Sequence, residues 1–381
     1  STADYRLLRP FVLADSVGGD LSTEEYAFRG AYVRRDGRIN YGIGIDYRAR
    51  HEFRQVDPRP HNIVNDLTGT IGAGFSTDRS LIALTARGRI YKQSQEVGFF
   101  DERGANTVEF LMTGLGNYFA RYVGGEDQFY KGKGYALSLT AVPSRTCGWS
   151  ALLQYERFSN RNIFSELNYA PAGRLVTQTL SGSVARRYER GGFAVEGSYE
   201  LRQGFENVVD NGETADYRIL GEFAMYRNRT LRLTAGGMVT WNRPQTDYTL
   251  APSVGYFRTS ADYPYPKREI ALSTAGAGCD LHLTRHGQRG TLRATVGGRY
   301  AVNLTRHTLL TDSRLDPDIG AMLFDSVDRM TADAVELTAA LRAERELRRS
   351  LALFVDASWR PGIYMDGVRV HLATIACGIC F

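Results

Sequence analysis

The sequence predicts an all-β chain, a transmembrane antiparallel up-and-down β-barrel of about 16 strands, with 14 as the alternative. Three observations predict it. Apolar and polar residues alternate with period two along most of the chain, tight turns alternate with long irregular connections, and aromatic residues recur near the ends of the apolar rows. Composition agrees: the 381 residues include 40 Gly, 22 Tyr and 18 Phe but only 11 Pro. No stretch approaches the ~18 consecutive apolar residues of a membrane helix, so any crossing must be made by strands.

The strands come first. In "RINYGIGIDYR", Ile39, Tyr41, Ile43, Ile45 and Tyr47 share one face, while Asn40, Gly42, Gly44 and Asp46 share the other. Successive side chains of a strand point to opposite faces, so this stretch has one greasy and one polar side. "FAVEGSYELR", "LRLTAGGMVTW", "TLRATVGGRYAV" and "AVELTAALRAE" repeat the pattern, with Phe193, Val195 and Tyr199 opposite Glu196, Ser198 and Glu200 in the first of them.

The connections fall into two sizes. Tight turns are expected at 34–38, 76–80, 143–148, 188–192, 227–230, 285–290 and 347–350, where Asp-Gly and Gly-Gly pairs tolerate the backbone of a short hairpin. Between them lie longer segments at 49–62, 92–133, 159–174, 204–215, 243–268 and 305–332. Short turns at one end and long loops at the other describe an outer-membrane barrel, with short periplasmic turns and long extracellular loops. The whole chain, 1–381, reads as one barrel domain. Segment 92–133 reads as a long loop or a lumen insertion, and 243–268 and 305–332 read as extracellular loops. The N-terminal "DYRLLRPFVLA" is the expected sixteenth strand, with Pro10 tolerable only at an edge or bulge.

A soluble propeller or sandwich is the bland alternative. A propeller shows a motif per blade of about 40–50 residues, and none is present. A sandwich does not require strict alternation of long and short connections. Tyr41, Tyr47, Phe193, Tyr199, Trp241 and Tyr300 sit towards strand ends on the apolar face, where a membrane-interface girdle belongs.

The polar face carries the candidate functional residues. Arg202, Arg218, Arg232, Arg293, Arg299 and Arg342 are expected to line the lumen with Glu196, Glu200, Glu222, Glu336 and Glu344. Such a set either selects anions in a pore or braces the wall by cross-strand ion pairs, and its mixed signs favour bracing. The net charge of +5 is spread evenly, which argues against nucleic acid. His282 and His286 stand four apart on a strand running into a turn, a poor spacing for a shared metal. No hydrolase signature appears, so no catalytic residue, metal site or cofactor is expected. Ser1 leaves no signal peptide in view, and any leader is expected to have been removed.

The last residues, "HLATIACGICF", contain Cys377 and Cys380. Three apart in a strand, they point to opposite faces, so neither a redox pair nor a shared metal ion is expected. Cys377 instead joins Ala373, Ile375, Ile379 and Phe381 in an apolar row. Val370 and Leu372 fall on the other face, so a bulge near His371 is expected. A terminal strand ending on Phe381 resembles the signal read by the barrel-assembly machinery.

"DPRPHNIVNDL", "GLGNYFARYVGG" (Gly114–Gly125) and the aromatic terminus together resemble a Bacteroidota family of outer-membrane β-barrels described as a domain of unknown function. The resemblance implies the outer membrane, with lipid and lipopolysaccharide as surroundings, and a gene often beside a TonB-dependent transporter and surface lipoproteins. Members extend further at the N-terminus. It implies no catalytic residues. The expected role is an accessory or pore component of nutrient uptake, a passive porin or a structural partner being the alternatives. A folded barrel should run faster on a gel when unheated than when boiled, and an unshifted band would exclude the fold.

Overall fold

The structure is a computed structural model, and it describes residues 2–15, 19–100, 109–119, 127–164, 170–210, 218–310, 316–348 and 351–380. In chain order the elements begin with α1 (Tyr5–Leu8), β1 (Val12–Asp15), β2 (Ser22–Asp36), β3 (Ile39–Phe53), β4 (Arg59–Ser76), β5 (Ser80–Gly98), β6 (Glu109–Gly114) and β7 (Asn117–Tyr118). There follow β8 (Gln128–Pro143), β9 (Gly148–Phe164), β10 (Pro171–Tyr188), β11 (Gly191–Val209), β12 (Ile219–Arg243) and β13 (Thr246–Tyr263). The chain closes with β14 (Arg268–His286), β15 (Gly290–Leu309), α2 (Pro317–Thr331), β16 (Ala334–Arg348), β17 (Leu351–Tyr364) and β18 (Arg369–Cys380).

Fifteen strands form one antiparallel sheet in chain order from β2 to β18, with β5 joined directly to β8. The three missing from it, β1, β6 and β7, make a small separate sheet. Strands β2 and β18 are the edges of the large sheet, and both run from the loop end to the turn end. Asp36-Gly37 closes the first hairpin, where Gly37 adopts φ 59°, a conformation that a Cβ disfavours.

Alternation divides the sheet into two faces, as the sequence predicts. Ile43 and Ile71 are cross-strand partners and each is 63% exposed, while Gly44 and Thr70 pair on the other side. Ile375 on β18 is 82% exposed. An apolar surface continued across fifteen strands is far larger than water tolerates on a soluble protein, and it suits hydrocarbon. Among the described residues no helix is long and apolar enough to cross a membrane. The crossing elements are strands, and strand-built membrane walls of this kind belong to the bacterial outer membrane.

Several expectations change. The N-terminal segment is not a sixteenth strand: it forms α1 and β1, and Leu8, Phe11 and Leu13 bury against the inner wall. Residues 227–230 are not a turn but lie inside the 25-residue β12, and the true turn is at 244–245. Segment 243–268 is therefore not an extracellular loop, since β13 occupies most of it. Arg227 and Arg229 mimic turn polarity only because the wall there has risen above the apolar band. Within 305–332 the structure places the end of β15 and then α2, which packs on the inner face through Leu323 and Val327. Within 92–133, β5 ends, the β6–β7 hairpin turns inwards and β8 begins. Strand β18 pairs with β17 without a register shift, so there is no bulge at His371; Val370 and Leu372 simply face inwards. Phe381 lies outside the described residues.

Ile43→Arg places a charge at mid-band and should cost about 2–4 kcal/mol. Thr70→Arg, on the inner face of the neighbouring strand, should cost about 0.5 kcal/mol or less. Urea unfolding in lipid vesicles measures both, and equal costs would contradict the assignment of faces.

Candidate functional site

Three inserted segments meet the inner wall in its loop-end half. Residues 2–13 pack on β4, β5, β8 and β9 through Ala3, Leu8, Val64, Tyr91, Tyr130 and Phe158. Leu13 and Leu111 join Val97, Phe164 and Ala172. Leu115, at the tip of the β6–β7 hairpin, touches the Tyr226–Tyr263 cluster on one side and the Ile270–Leu272 cluster beside α2 on the other. That tip needs unusual backbone: Gly114, Leu115 and Gly116 all have positive φ. The three insertions together form an inner plug.

Polar side chains of the wall hold each insertion. Asp4 accepts from Arg48 at 2.5 Å and from Arg50 at 3.3 Å, and Tyr91 also donates to it. Arg202 donates to the carbonyls of Arg6 and Arg9 at 2.8 and 3.2 Å, capping α1. Arg54 pairs with Asp15 at 3.2 Å, both side chains 3% exposed, and also donates to the Pro58 carbonyl. Arg268 donates to the Leu115 carbonyl at 2.9 Å, and Asn117 donates to the Tyr263 hydroxyl. For α2, Arg306 pairs with Asp328 at 2.6 Å. A carboxamide network of Thr2, Gln95, Tyr130, Gln128 and Asn162 completes the junction.

Towards the turn end the inner face carries open recesses. One of about 540 Å³ is lined by Arg29, Asp46, Asp66, Arg87, Arg89 and Glu156. Arg89 reaches Asp66 at 2.7 Å and Arg29 reaches Asp46 at 2.5 Å. A second, of about 390 Å³, is lined in part by Arg232, Arg299 and Glu336. The first recess carries three arginines against three carboxylates and the second two arginines against one, so neither presents a one-sign filter.

The sequence-predicted charged residues divide as follows. Register places Glu196, Glu200, Arg202, Arg232, Arg293, Arg299, Glu336, Arg342 and Glu344 on the inner face. Pairs form between Arg202 and Glu200 at 3.4 Å, Arg299 and Asp280 at 3.6 Å, and Arg342 and Glu344 at 2.6 Å. Two need correction. Glu222 pairs with Arg174 at 2.5 Å, and Arg174 lies over the outward Phe205, so the pair belongs to the outer face. Arg218 sits before β12 at the loop mouth, its backbone N–H bonded to Asp210.

The aromatics Tyr41, Tyr47, Phe193, Tyr199, Trp241 and Tyr300 all face outwards and are exposed. Tyr41 and Tyr47, like Phe193 and Tyr199, stand six residues apart on their strands, about 20 Å. Two girdles thus bound the apolar band, with Trp149 edge-on to Phe193 in the turn-end one.

Sequence reading missed α2, and the signal was there. Asp316 caps the Ile319 N–H, Pro317 opens the helix, and Ile319, Leu323 and Val327 recur every four residues. His282 and His286 bond separately to Thr295 and Asp247.

Residues 1–381 match a family described as "Family of unknown function (DUF6850)". The chain belongs to that family. No curated protein matches it in sequence. Among solved structures it is similar to the copper transporter OprC, at 10% identity and TM-score 0.45, over 95% of this chain and 65% of that one. It is similar to the P. aeruginosa FpvA, at 10% identity and TM-score 0.42, over 92% of this chain and 56% of that one. The translocator domain of the Neisseria meningitidis autotransporter NalP aligns over 91% of this chain and 89% of its own, at 11% identity and TM-score 0.28. The chain thus spans less than two thirds of OprC and of FpvA. At these identities the fold rests on this chain's own sheet.

Arg54→Ala leaves Asp15 buried without its guanidinium and should cost about 3–5 kcal/mol. Thermal unfolding in detergent measures the loss. A cost below ~1 kcal/mol would mean that the pair does not hold the insertion.

Proposed function

We propose that the protein is an accessory barrel of an outer-membrane nutrient-uptake system, closed at rest by its inner plug and docked to a larger TonB-dependent transporter with surface lipoproteins. The observation that carries this reading is the convergence of three separate insertions on one half of the inner wall, each tied to it by an arginine. A passive porin needs a clear lumen with a charged constriction, whereas here that half is filled and its charges are paired. The paired charges and absent hydrolase signatures also support a non-enzymatic role. The docking partner follows from the family resemblance in the sequence.

The purified protein should be silent in a planar bilayer, and Arg48→Ala with Arg50→Ala, which frees Asp4, should introduce intermittent openings. Steady ohmic openings of the unaltered protein would favour the porin instead. Mild-detergent extraction from native membranes should recover a stoichiometric complex with a larger transporter, and a lone monomer would remove the accessory role.

The same reading includes closure into sixteen strands. In hydrocarbon an open sheet edge leaves backbone groups unpaired, at several kcal/mol each. Strands β2 and β18 run the same way, so one further strand running from turn end to loop end pairs antiparallel with both. A cysteine at Tyr32, tested against cysteines at Ala373, Ile375 and Cys377, should form no disulfide, because one interposed strand separates the edges by about 10 Å. A bismaleimide of that span should join them. A disulfide would mean direct parallel closure with fifteen strands.

A further inference from the structure

The outer face carries a feature that neither the plug nor the apolar band requires. Above the loop-end girdle, Lys92, Lys131 and Arg161 are cross-strand partners in one outward row over β5, β8 and β9, and Arg174 continues it on β10. Lys133 and Arg157 stand in the next two outward rows, Arg157 opposite the exposed Tyr135. All five of Lys92, Lys131, Lys133, Arg157 and Arg161 are exposed, and none has an ion pair among the described residues. Arg174 is matched by Glu222, whose carboxylate also lies within electrostatic reach of Arg161. The outward carboxylate of β5, Glu96, faces His61 at 3.9 Å, and β8 and β9 have none. Like charges directly opposite one another destabilise a sheet, so Lys131, flanked on both sides, has an electrostatic cost without an anion.

The row lies where lipid headgroups meet the wall. Towards the turn end, over β8 to β12, an outer groove of about 620 Å³ is lined by Leu139, Leu153, Gly182, Val195, Gly197 and Leu233. Four of the strand positions form one row in which Gly182 and Gly197, lacking side chains, leave a slot between Leu153 and Leu233. Arg157 is four residues nearer the loop end than Leu153 on the same strand. An acyl-chain slot beneath a cationic row has the shape and charge order of an anionic lipid.

We propose that Lys92, Lys131, Lys133, Arg157 and Arg161 bind the phosphate groups of a phosphorylated glycolipid in the loop-side leaflet, its chains lying in the Gly182–Gly197 slot. Three cations in a row, none in an ion pair among the described residues and together spanning about 10 Å, match a headgroup with more than one phosphate better than a single one. Charge-assisted contacts to phosphate, in the low dielectric of the interface, offset the repulsion within the row. The site lies on the outside of the wall and holds whether or not the lumen conducts.

The test uses the folded protein in nanodiscs of phosphatidylcholine doped with bisphosphorylated lipid A, with native mass spectrometry counting retained lipid. Both leaflets carry the lipid, so the result does not depend on which end of the barrel faces outwards. The unaltered protein should retain lipid A, and the variant Lys92→Gln, Lys131→Gln, Arg161→Gln should retain it about a hundredfold more weakly. A control variant of turn-end cations, Arg34→Gln with Arg35→Gln, should behave like the unaltered protein. Equal retention by the triple variant, or equal retention of dephosphorylated lipid A, would overturn the proposal. Displacement by millimolar inorganic phosphate would make it a free-phosphate site, and that too would overturn it. Heat-modifiable migration confirms that each variant is folded.

Discussion

The backbone of this protein has no water to turn to across its apolar band, and the rest of the structure follows from that. Each N–H and C=O there must be paired by a neighbouring strand. The fifteen-strand ladder does this with register that shifts at only a few bulges, such as those beside Gly204 and Ser273. Continuous pairing forces strict alternation, and alternation forces one chemically uniform outer face. Ile43, Ile71 and Ile375 are exposed because hydrocarbon covers them, and the same rule sends Arg48, Asp66 and Arg89 inwards.

The strands do not stop at the membrane boundary. At 15 to 25 residues most are longer than the ~10 needed to span it. The surplus lies at the loop end, and it is there that the plug packs on the wall. This division of labour explains the two kinds of inner surface. Near the turns the inner face is small, polar and open; near the loops it carries Tyr91, Tyr130, Phe158, Tyr226 and Tyr263, which pack on inserted apolar residues. Gly132 permits this, since a Cβ there would collide with the Phe158 ring.

Fixing the plug is mostly a polar matter. Arginines on the wall reach carbonyls and carboxylates of the insertions, which the chain could not otherwise satisfy away from water. The side-chain nitrogen and oxygen of Asn160, Gln128 Nε2 and Asn162 Oδ1 are buried without a partner among the described residues.

By itself the sequence determined the wall: the period-two rows, the side each residue faces, the girdles and most of the tight turns. Those signals are local, because a strand's two faces are written in every second residue. Its errors also have local causes. The Arg227–Thr230 stretch has the polarity of a turn because β12 has left the hydrocarbon there, and the Pro10 segment alternates well enough to pass for a strand. Only the tertiary structure decided that residues 2–15, 109–119 and 317–331 turn inwards, which charges pair, and that Glu222 lies outside. Those outcomes depend on contacts such as Asp4 with Arg48 or Leu115 with Tyr226, between residues far apart in the chain. No short-range pattern records them, because the partner that makes each insertion favourable exists only once the wall has formed.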